Sequence, residues 1–307
     1  MTALPPELKK LLSPAERAAF ALADRVNRGP LLKRAATAYL RHFARHIVRS
    51  GSSNLLQQTG LENLAALSPD RGVLVASNHR SFFDLYVISD QMLQSCPWIE
   101  SMYFPVRSEF FYTHASGTAV NAAMSALAMY PPIFRAPAKR PLNEHAVRVL
   151  KDKCVKSGAL IGIHPEGKRG MGDDPYELLP AKPGTGEIIF HAKPIVMPVF
   201  LLGIGNALGR QIKSNWDGTG EPITVCYGEP LDLSAYYDRP ATSETYLAIS
   251  QAVQAAISDL GRREKALRRE RGLPPPRSLK ATRSDDASAV TASADRGTRA
   301  DAASPPA

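Results

Sequence analysis

The sequence predicts an α/β fold: a mixed, mostly parallel central sheet flanked by helices, with an N-terminal helical extension. Two observations carry this. From about Gly72 to Tyr237 short apolar, β-prone runs alternate with helical stretches, and a hydrophobic share of 44% over 307 residues is enough to fill one large core. Upstream, residues 13–28 and 31–50 carry helical patterns instead.

The first of those helices opens with Ser13-Pro14-Ala15-Glu16, an S-x-x-E capping box with proline at the first helical position, and stops at Gly29-Pro30. In Leu31 to Ser50, at 100° per residue, Arg34, Arg41, Arg45 and Arg49 share one face, opposite Leu32, Ala36, Tyr39, Leu40, Phe43 and Ile47. Such a helix can lie in a bilayer interface, apolar side down and cations near anionic headgroups. The same pattern fits an ordinary surface helix packed on the domain. His42 and His46 follow the boundary between the faces, as surface residues do.

Farther on, the expected strands are Gly72–Ser77, Tyr103–Pro105, Ala159–His164, Ile195–Leu202 and Ile223–Tyr227. The expected helices are Phe82–Leu93, Ser116–Met129, Asn143–Lys156, Gly184–His191 and a last one over about Ser243–Arg271, strongly basic at its end. After Gly272 come three prolines and a Ser, Ala, Asp, Thr and Arg mixture too polar to offset the entropy of ordering it. The division is therefore 1–54, an N-terminal helical, membrane-surface segment; 55–272, the main domain; and 273–307, a disordered tail.

Net charge is +9, from 38 Lys+Arg against 29 Asp+Glu, which predicts an anionic partner: a phospholipid surface, a nucleic acid or a phosphorylated substrate. No nucleic-acid motif accompanies it. Cys96, Cys154 and Cys226 are far apart with no C-x-x-C pair, which excludes a disulfide framework and fits a reducing, cytosolic setting. Met1 to Lys10 is polar and broken by Pro5 and Pro6, so no signal peptide is expected. Phe110–Phe134, rich in small polar residues, and the shorter Pro194–Gly209 read as buried core rather than as membrane spans.

The chemistry gathers where the first strand runs into Asn78-His79-Arg80-Ser81-Phe82-Phe83-Asp84. On a continuous helix, residues five apart diverge by about 140°. His79 and Asp84 meet only if His79 sits in the strand-to-helix turn, Ser81 caps, and Asp84 lies in the first helical turn. A carboxylate beside the ring then fixes one nitrogen as N–H and leaves the other as a general base toward a hydroxyl. Tyr130-Pro131-Pro132-Ile133-Phe134-Arg135 and His164-Pro165-Glu166-Gly167-Lys168-Arg169-Gly170 add cations suited to phosphate, Arg135 and Arg169 bidentately and Lys168 as a point charge. Tyr103 and Arg107 are candidates for the lining of the acceptor cleft, or for core and a local ion pair.

With these residues in view, the chain resembles the glycerolipid acyltransferase family, which includes lysophosphatidic acid and glycerol-3-phosphate acyltransferases. His79 and Asp84 match its H-x4-D motif, and Tyr130 to Arg135 resembles the block whose terminal arginine contacts the acceptor phosphate. His164 to Gly170 is similar to the P-E-G-x-R block, so Glu166, Gly167 and Arg169 carry over as acceptor-site residues, with Lys168 and Arg80 as further candidates. Ile195-Val196-Met197-Pro198-Val199 looks like the I-V-x-P-V run, implying Pro198 near the acyl-donor channel. The likeness spans about Leu55 to Leu231. It departs at Lys168, where the family has threonine or serine, and at His164, where it has phenylalanine.

The resemblance implies an O-acyltransferase moving a fatty acyl group from acyl-CoA or acyl-carrier protein onto a lysophosphatidic-acid-like or glycerol-3-phosphate-like acceptor, in phospholipid biosynthesis. No cofactor and no metal are expected, the acyl thioester being a co-substrate. The partners expected are the lipid acceptor, the thioester and an anionic membrane surface, with the enzyme cytoplasmic and peripheral on the inner face of the cell membrane. The alternatives are another lipid or glycoside acceptor, or a metal-dependent hydrolase using His79, Asp84, His164 and Glu166 as ligands. A non-catalytic protein using only its basic faces is a third reading.

Overall fold

The computed structural model describes residues 3–170 and 172–278. The N-terminal extension is built from α1 (Pro14–Arg28), α2 (Pro30–Tyr39) and α3 (Arg45–Ser50), the last two joined through a π turn at Leu40–Ala44. The capping box forms in full: Ser13 Oγ accepts from the Glu16 amide, and the Glu16 carboxylate accepts from the Ser13 amide.

Among the described residues eight strands follow: β1 (Leu56–Thr59), β2 (Val73–Ser77), β3 (Ser101–Tyr103), β4 (Val106–Arg107), β5 (Pro132–Ile133), β6 (Ala159–Ile163), β7 (Ile195–Leu202) and β8 (Ile223–Tyr227). Six of them make one sheet in the order β1-β8-β7-β2-β6-β3, with β4 and β5 paired separately. Every pair in the main sheet is parallel except β7 with β8. The helices around it are α4 (Asp84–Ser95), α5 (Ala115–Ser125), α6 (Arg140–Cys154), α7 (Pro183–Ala192), α8 (Leu208–Asp217) and α9 (Ser243–Glu270). The expected α/β architecture is thus the observed one.

The central strands β2 and β7 are apolar along nearly their whole length and buried, as a parallel sheet covered on both faces requires. One cover is the α7/α9 pair. It packs closely because Gly186 has no side chain: a Cβ there would lie 1.8 Å from the Tyr246 carbonyl oxygen, and the Gly186 amide donates to Ser250 Oγ at 2.8 Å.

The boundaries moved where local chemistry overrode pattern. The strand expected at Tyr103–Pro105 lies at Ser101–Tyr103, and Pro105 has no amide hydrogen to give to a ladder. The helix expected to reach Met129 ends at Ser125, where Ala126 and Leu127 turn to φ of 47° and 62°. Strand β1 and helix α8 were not anticipated: β1 is an edge strand of Leu-Gln-Gln-Thr, and α8 is largely polar and flanked by glycine.

Segment 30–50 packs on the domain along the edge of its apolar face: Lys33, Thr37, Leu40 and Ala44 are buried, Leu40 alone of the six apolar-face residues. The arginines on one flank fold back onto the domain. Arg41 donates to the carbonyls of Leu93, Cys96 and Ile99 at the C-terminal end of α4, where unpaired carbonyls and the helix dipole favour a cation, and Arg34 pairs with Glu100. On the other flank Leu31, Leu32, Phe43 and Ile47 are exposed.

A buried polar network ties α1 and α2 to the sheet. Lys33 Nζ donates to Asn27 Oδ1 at 2.6 Å, Lys153 Nζ to the Asn27 carbonyl at 2.9 Å and to Tyr103 Oη at 2.8 Å, and Tyr130 Oη to Asp24 Oδ1 at 2.8 Å. Both ammonium groups also lie over the Tyr103 ring. Tyr103 is therefore a core residue of this junction rather than a cleft lining.

Of the expected tail, residues 273–278 run along the body, the Arg268 guanidinium donating to the Pro274 carbonyl and the Arg277 amide to Glu221; residues 279–307 lie outside the described residues. No described helix is long and apolar enough to cross a membrane.

Candidate active site

Strand β2 delivers the turn and its neighbours fix it. Asn78 extends the pairing with β7 by its side chain, donating to the Leu201 carbonyl and accepting from the Leu201 amide, each at 2.8 Å. The next residue, His79, gives its amide to Glu166 Oε1 at 2.9 Å. Five residues on, helix α4 begins at Asp84 itself.

Asp84 Oδ2 then collects three donors: the amides of Arg80 at 2.7 Å and Ser81 at 2.8 Å, and His79 Nδ1 at 3.0 Å. The carboxylate thus folds the turn back on itself and grips the imidazole. Because a carboxylate accepts, Nδ1 carries the hydrogen and Nε2 the free lone pair. Ser81 does not cap α4. Its hydroxyl donates to the Gly205 carbonyl and accepts from the Phe83 amide, while Asp84 supplies the acceptor that the turn needs.

Asp84 is almost wholly buried, whereas 22% of the His79 side chain is exposed. Burial, reinforced by the positive charges of Arg169 and Arg80, holds His79 well below the ordinary histidine range, so the neutral ring is favoured. Burial also pushes Asp84 up, against the pull of His164 and of the two amides. The position at the start of α4 further favours the carboxylate.

His164 lies flat against His79, ring centres 4.0 Å apart and planes 5° from parallel. Its Nδ1 donates to the Ser77 carbonyl at 3.0 Å, and burial and the neighbouring His79 hold it down, to about 3, hence neutral. His79, Asp84 and His164 bring potential ligand atoms within 4.8 Å of one another. They do not fit a metal: ring nitrogens bind through in-plane lone pairs, and stacked parallel rings send these side by side rather than to one point. Glu166, the fourth ligand of the hydrolase reading, spends its oxygens on the amides of His79 and Leu179.

Two other residues singled out in the sequence have partners within the protein. Arg80 is buried, its guanidinium donating to the carbonyls of Pro175 at 3.0 Å and Glu177 at 2.7 Å and sitting 3.5 Å from Glu166, and it also lines the cavity beside the turn. With Glu166 it forms an internal strut that holds the loop after β6 against the His79 turn. Pro198 lies in the middle of β7, buried and packed beside Gly228, with Leu260 of α9 close by.

The remaining cations stand nearer the opening. Arg169 is close enough for its charge to act on His79, and its Nη1 donates to Asn206 Oδ1 at 2.8 Å. Lys168 is exposed, and Arg135 is exposed with Glu109 3.6 Å away. Gly167 has φ of 66°, a conformation that favours glycine, and its carbonyl accepts from Arg107 Nη2 at 3.1 Å. Arg107 thus joins the P-E-G loop.

Asn206 went unrecognised in the sequence. Its Oδ1 accepts from the Phe82 amide at 2.8 Å as well as from Arg169, joining the His79 turn to the cation loop. The only signal was its place just past the carboxyl end of a central strand, where α/β sheets carry their sites.

Beside the turn a cavity of about 220 Å³ opens, walled in part by Gly170, Asn206, Arg210 and Arg277. An apolar groove between Ile47, Phe83, Tyr86, Met124, Ile204 and Leu208 starts next to Asp84 and is almost closed, with about 20 Å³ free.

A neutral, oriented imidazole beside an arginine, at the carboxyl ends of β2, β6 and β7, can accept a proton next to a positive charge. Residues 56–202 match the family model described as Acyltransferase. The chain carries an acyltransferase domain. A search of curated proteins gives no significant match. The matched span covers the His79 turn, the Arg135 segment, the P-E-G loop and β7, so all four motifs lie within the acyltransferase domain.

Proposed function

We propose that this acyltransferase moves a fatty acyl group from the thioester of acyl-CoA or acyl-carrier protein onto a hydroxyl of a lysophosphatidic-acid-like or glycerol-3-phosphate-like acceptor, in phospholipid synthesis. The observation that carries this reading is the His79–Asp84 contact with Arg169 beside it. His79 Nε2 takes the proton as the acceptor oxygen attacks the thioester carbonyl; the tetrahedral adduct collapses with loss of the thiolate, which receives that proton. No acyl-enzyme forms. Arg169, Lys168 and Arg135 hold the acceptor phosphate, Arg169 by a forked contact and Lys168 as a point charge. The acyl chain lies in the groove between Phe83 and Leu208, which must widen to admit it.

The enzyme works at the cytoplasmic face of the membrane, with Leu31, Leu32, Phe43 and Ile47 toward the lipid. Their exposure supports this placement.

The test is an acyl-transfer assay of purified protein with acyl-CoA and with acyl-carrier protein, against lysophosphatidic acid, glycerol-3-phosphate, other lysophospholipids and simple glycosides. Transfer to the phosphorylated acceptors, abolished in His79→Ala with acceptor binding largely retained, is the expected result. Transfer only to unphosphorylated glycosides would reject the phosphate assignment, and undiminished turnover in His79→Ala would reject the base.

A further inference from the structure

His164 stands where the resembled family has phenylalanine, and acyl transfer by His79 gives its polar edge no task. The pairing of β2 with β6 sets it beside His79, where the two rings stack 4.0 Å apart and 5° from parallel. A phenylalanine would supply the same flat face. The imidazole adds two nitrogens, and the protein uses one of them: Nδ1 meets the carbonyl of the wholly buried Ser77 at 3.0 Å. Because a carbonyl only accepts, this Nδ1 carries the hydrogen and Nε2 a lone pair. His79 is set up alike, with Nδ1–H on the buried Asp84 carboxylate and its lone pair on Nε2.

Both Nδ1 edges are thus turned to groups inside the protein, and both Nε2 edges away from them. Among the described residues neither Nε2 has a hydrogen-bond partner, and neither is sealed from solvent as the unpartnered Nε2 of His145 is. Two hydrogen-bond acceptors therefore stand side by side, one ring spacing apart. Oxygens on adjacent carbons stay within about 4 Å of each other in every staggered rotamer, so a 1,2-diol donates to both rings at once, whereas a lone hydroxyl serves only His79. An ammonium as the second donor would bring positive charge to a place where Arg169 and Arg80 already disfavour it on the neighbouring ring. A hydroxyl brings none.

We propose that His164 selects a 1,2-diol acceptor: the attacking hydroxyl gives its proton to His79 Nε2 while the hydroxyl on the adjacent carbon donates a hydrogen bond to His164 Nε2. The second O–H bond stays intact throughout; His164 takes no proton but fixes the second oxygen, and with it the rotation that aims the first. The inference rests on the acyl-transfer reading and narrows its acceptors to the glycerol-3-phosphate kind, since 1-acyl lysophosphatidic acid offers a single hydroxyl.

The test compares acceptors that differ by that one hydroxyl: glycerol-3-phosphate against 3-hydroxypropyl phosphate, and a methyl glycoside against the deoxy analogue lacking the neighbouring hydroxyl. The wild-type enzyme is expected to favour the diol by about tenfold in kcat/KM, the fold-change that one hydrogen bond carries. His164→Phe, which keeps a stacked ring and loses the lone pair, should bring the ratio close to one; as a ratio, it is insensitive to any general loss of active enzyme. Should that variant fail to fold, the ¹⁵N resonance of His164 Nε2 in the wild-type protein gives a second readout, expected to shift with glycerol-3-phosphate and not with 3-hydroxypropyl phosphate. Equal kcat/KM for diol and deoxy acceptor, or a preference that survives in His164→Phe, overturns the inference and leaves the acyl-transfer reading standing. A preference seen only in the glycoside pair supports the role of His164 and rejects the phosphate acceptor, and transfer to no member of either pair overturns both.

Discussion

At the scale of single residues, the site depends on which protons are already in place. An ordinary histidine loses its function as a base below about pH 6.5, but burial and two nearby arginines hold His79 lower. Its neutral form is therefore kept as the pH falls, and the acid limb of kcat/KM is expected below 6.5. Stability moves with it. The unfolded chain takes up the proton first, so the preference for a neutral ring supports the fold above the unfolded value and is lost as the pH falls toward the folded one. A limb at or above 6.5 would show that His79 is not the titrating base. Asp84→Asn tests orientation separately: an amide can donate to Nδ1 and turn the ring to the wrong tautomer, so kcat is expected to fall about 10³–10⁴-fold with the fold intact. The His79–Asp84 contact was legible because only one local geometry lets residues five apart meet. The strut between Arg80 and Glu166 was not, because the partners of a charged residue in a motif depend on loops distant in sequence, and only the burial of both side chains reveals the pair.

Among the elements, the N-terminal helices show how far pattern reading extends. The capping box predicted α1 to the residue, because its two hydrogen bonds are local. The helical period of 30–50 was equally legible, but which stripe it buries depends on partners far away in sequence, such as Tyr103 and Lys153, and no local rule encodes them. Lys153 is held down to about 8, chiefly by burial and then by Lys156. Because its folded value lies below the unfolded one, the unfolded chain binds more protons between about pH 8 and 10.5, and stability must rise with pH across that window. The gain is expected to be on the order of 1–3 kcal/mol. It should appear in hydrogen exchange as stronger protection of α1 and α2 at pH 9.5 than at pH 7.5, after correction for intrinsic rates. Lys153→Met should shrink the difference and Lys153→Met with Lys33→Met abolish it, because buried Lys33 is held low in the same network.

For the molecule as a whole, the parallel sheet brings the His79 turn after β2, the P-E-G loop after β6 and Asn206 after β7 to one edge, which is why motifs dispersed over 129 residues form one site. The outward apolar residues have a second consequence. Ile47 of α3 and Leu208 of α8 line the same groove beside α4, so the exposed face of 30–50 continues toward the start of the acyl path. Trp216, exposed on α8, adds an aromatic side chain of the kind enriched at lipid interfaces. If this face docks on a bilayer, apolar insertion drives binding, since Arg34 and Arg41 are turned to the domain. Electrostatic attachment weakens steeply with salt, whereas apolar burial does not. Co-sedimentation with vesicles is therefore expected to persist from 0.1 to 0.5 M NaCl. The double variant Leu32→Asp, Phe43→Asp should lower the partition coefficient at least about tenfold while leaving the melting temperature unchanged, because both side chains already face water in the free protein. Binding that disappears at 0.5 M salt and survives the double variant would instead place attachment on the remaining surface cations, and the face formed by Leu31, Leu32, Phe43 and Ile47 would have no part in it.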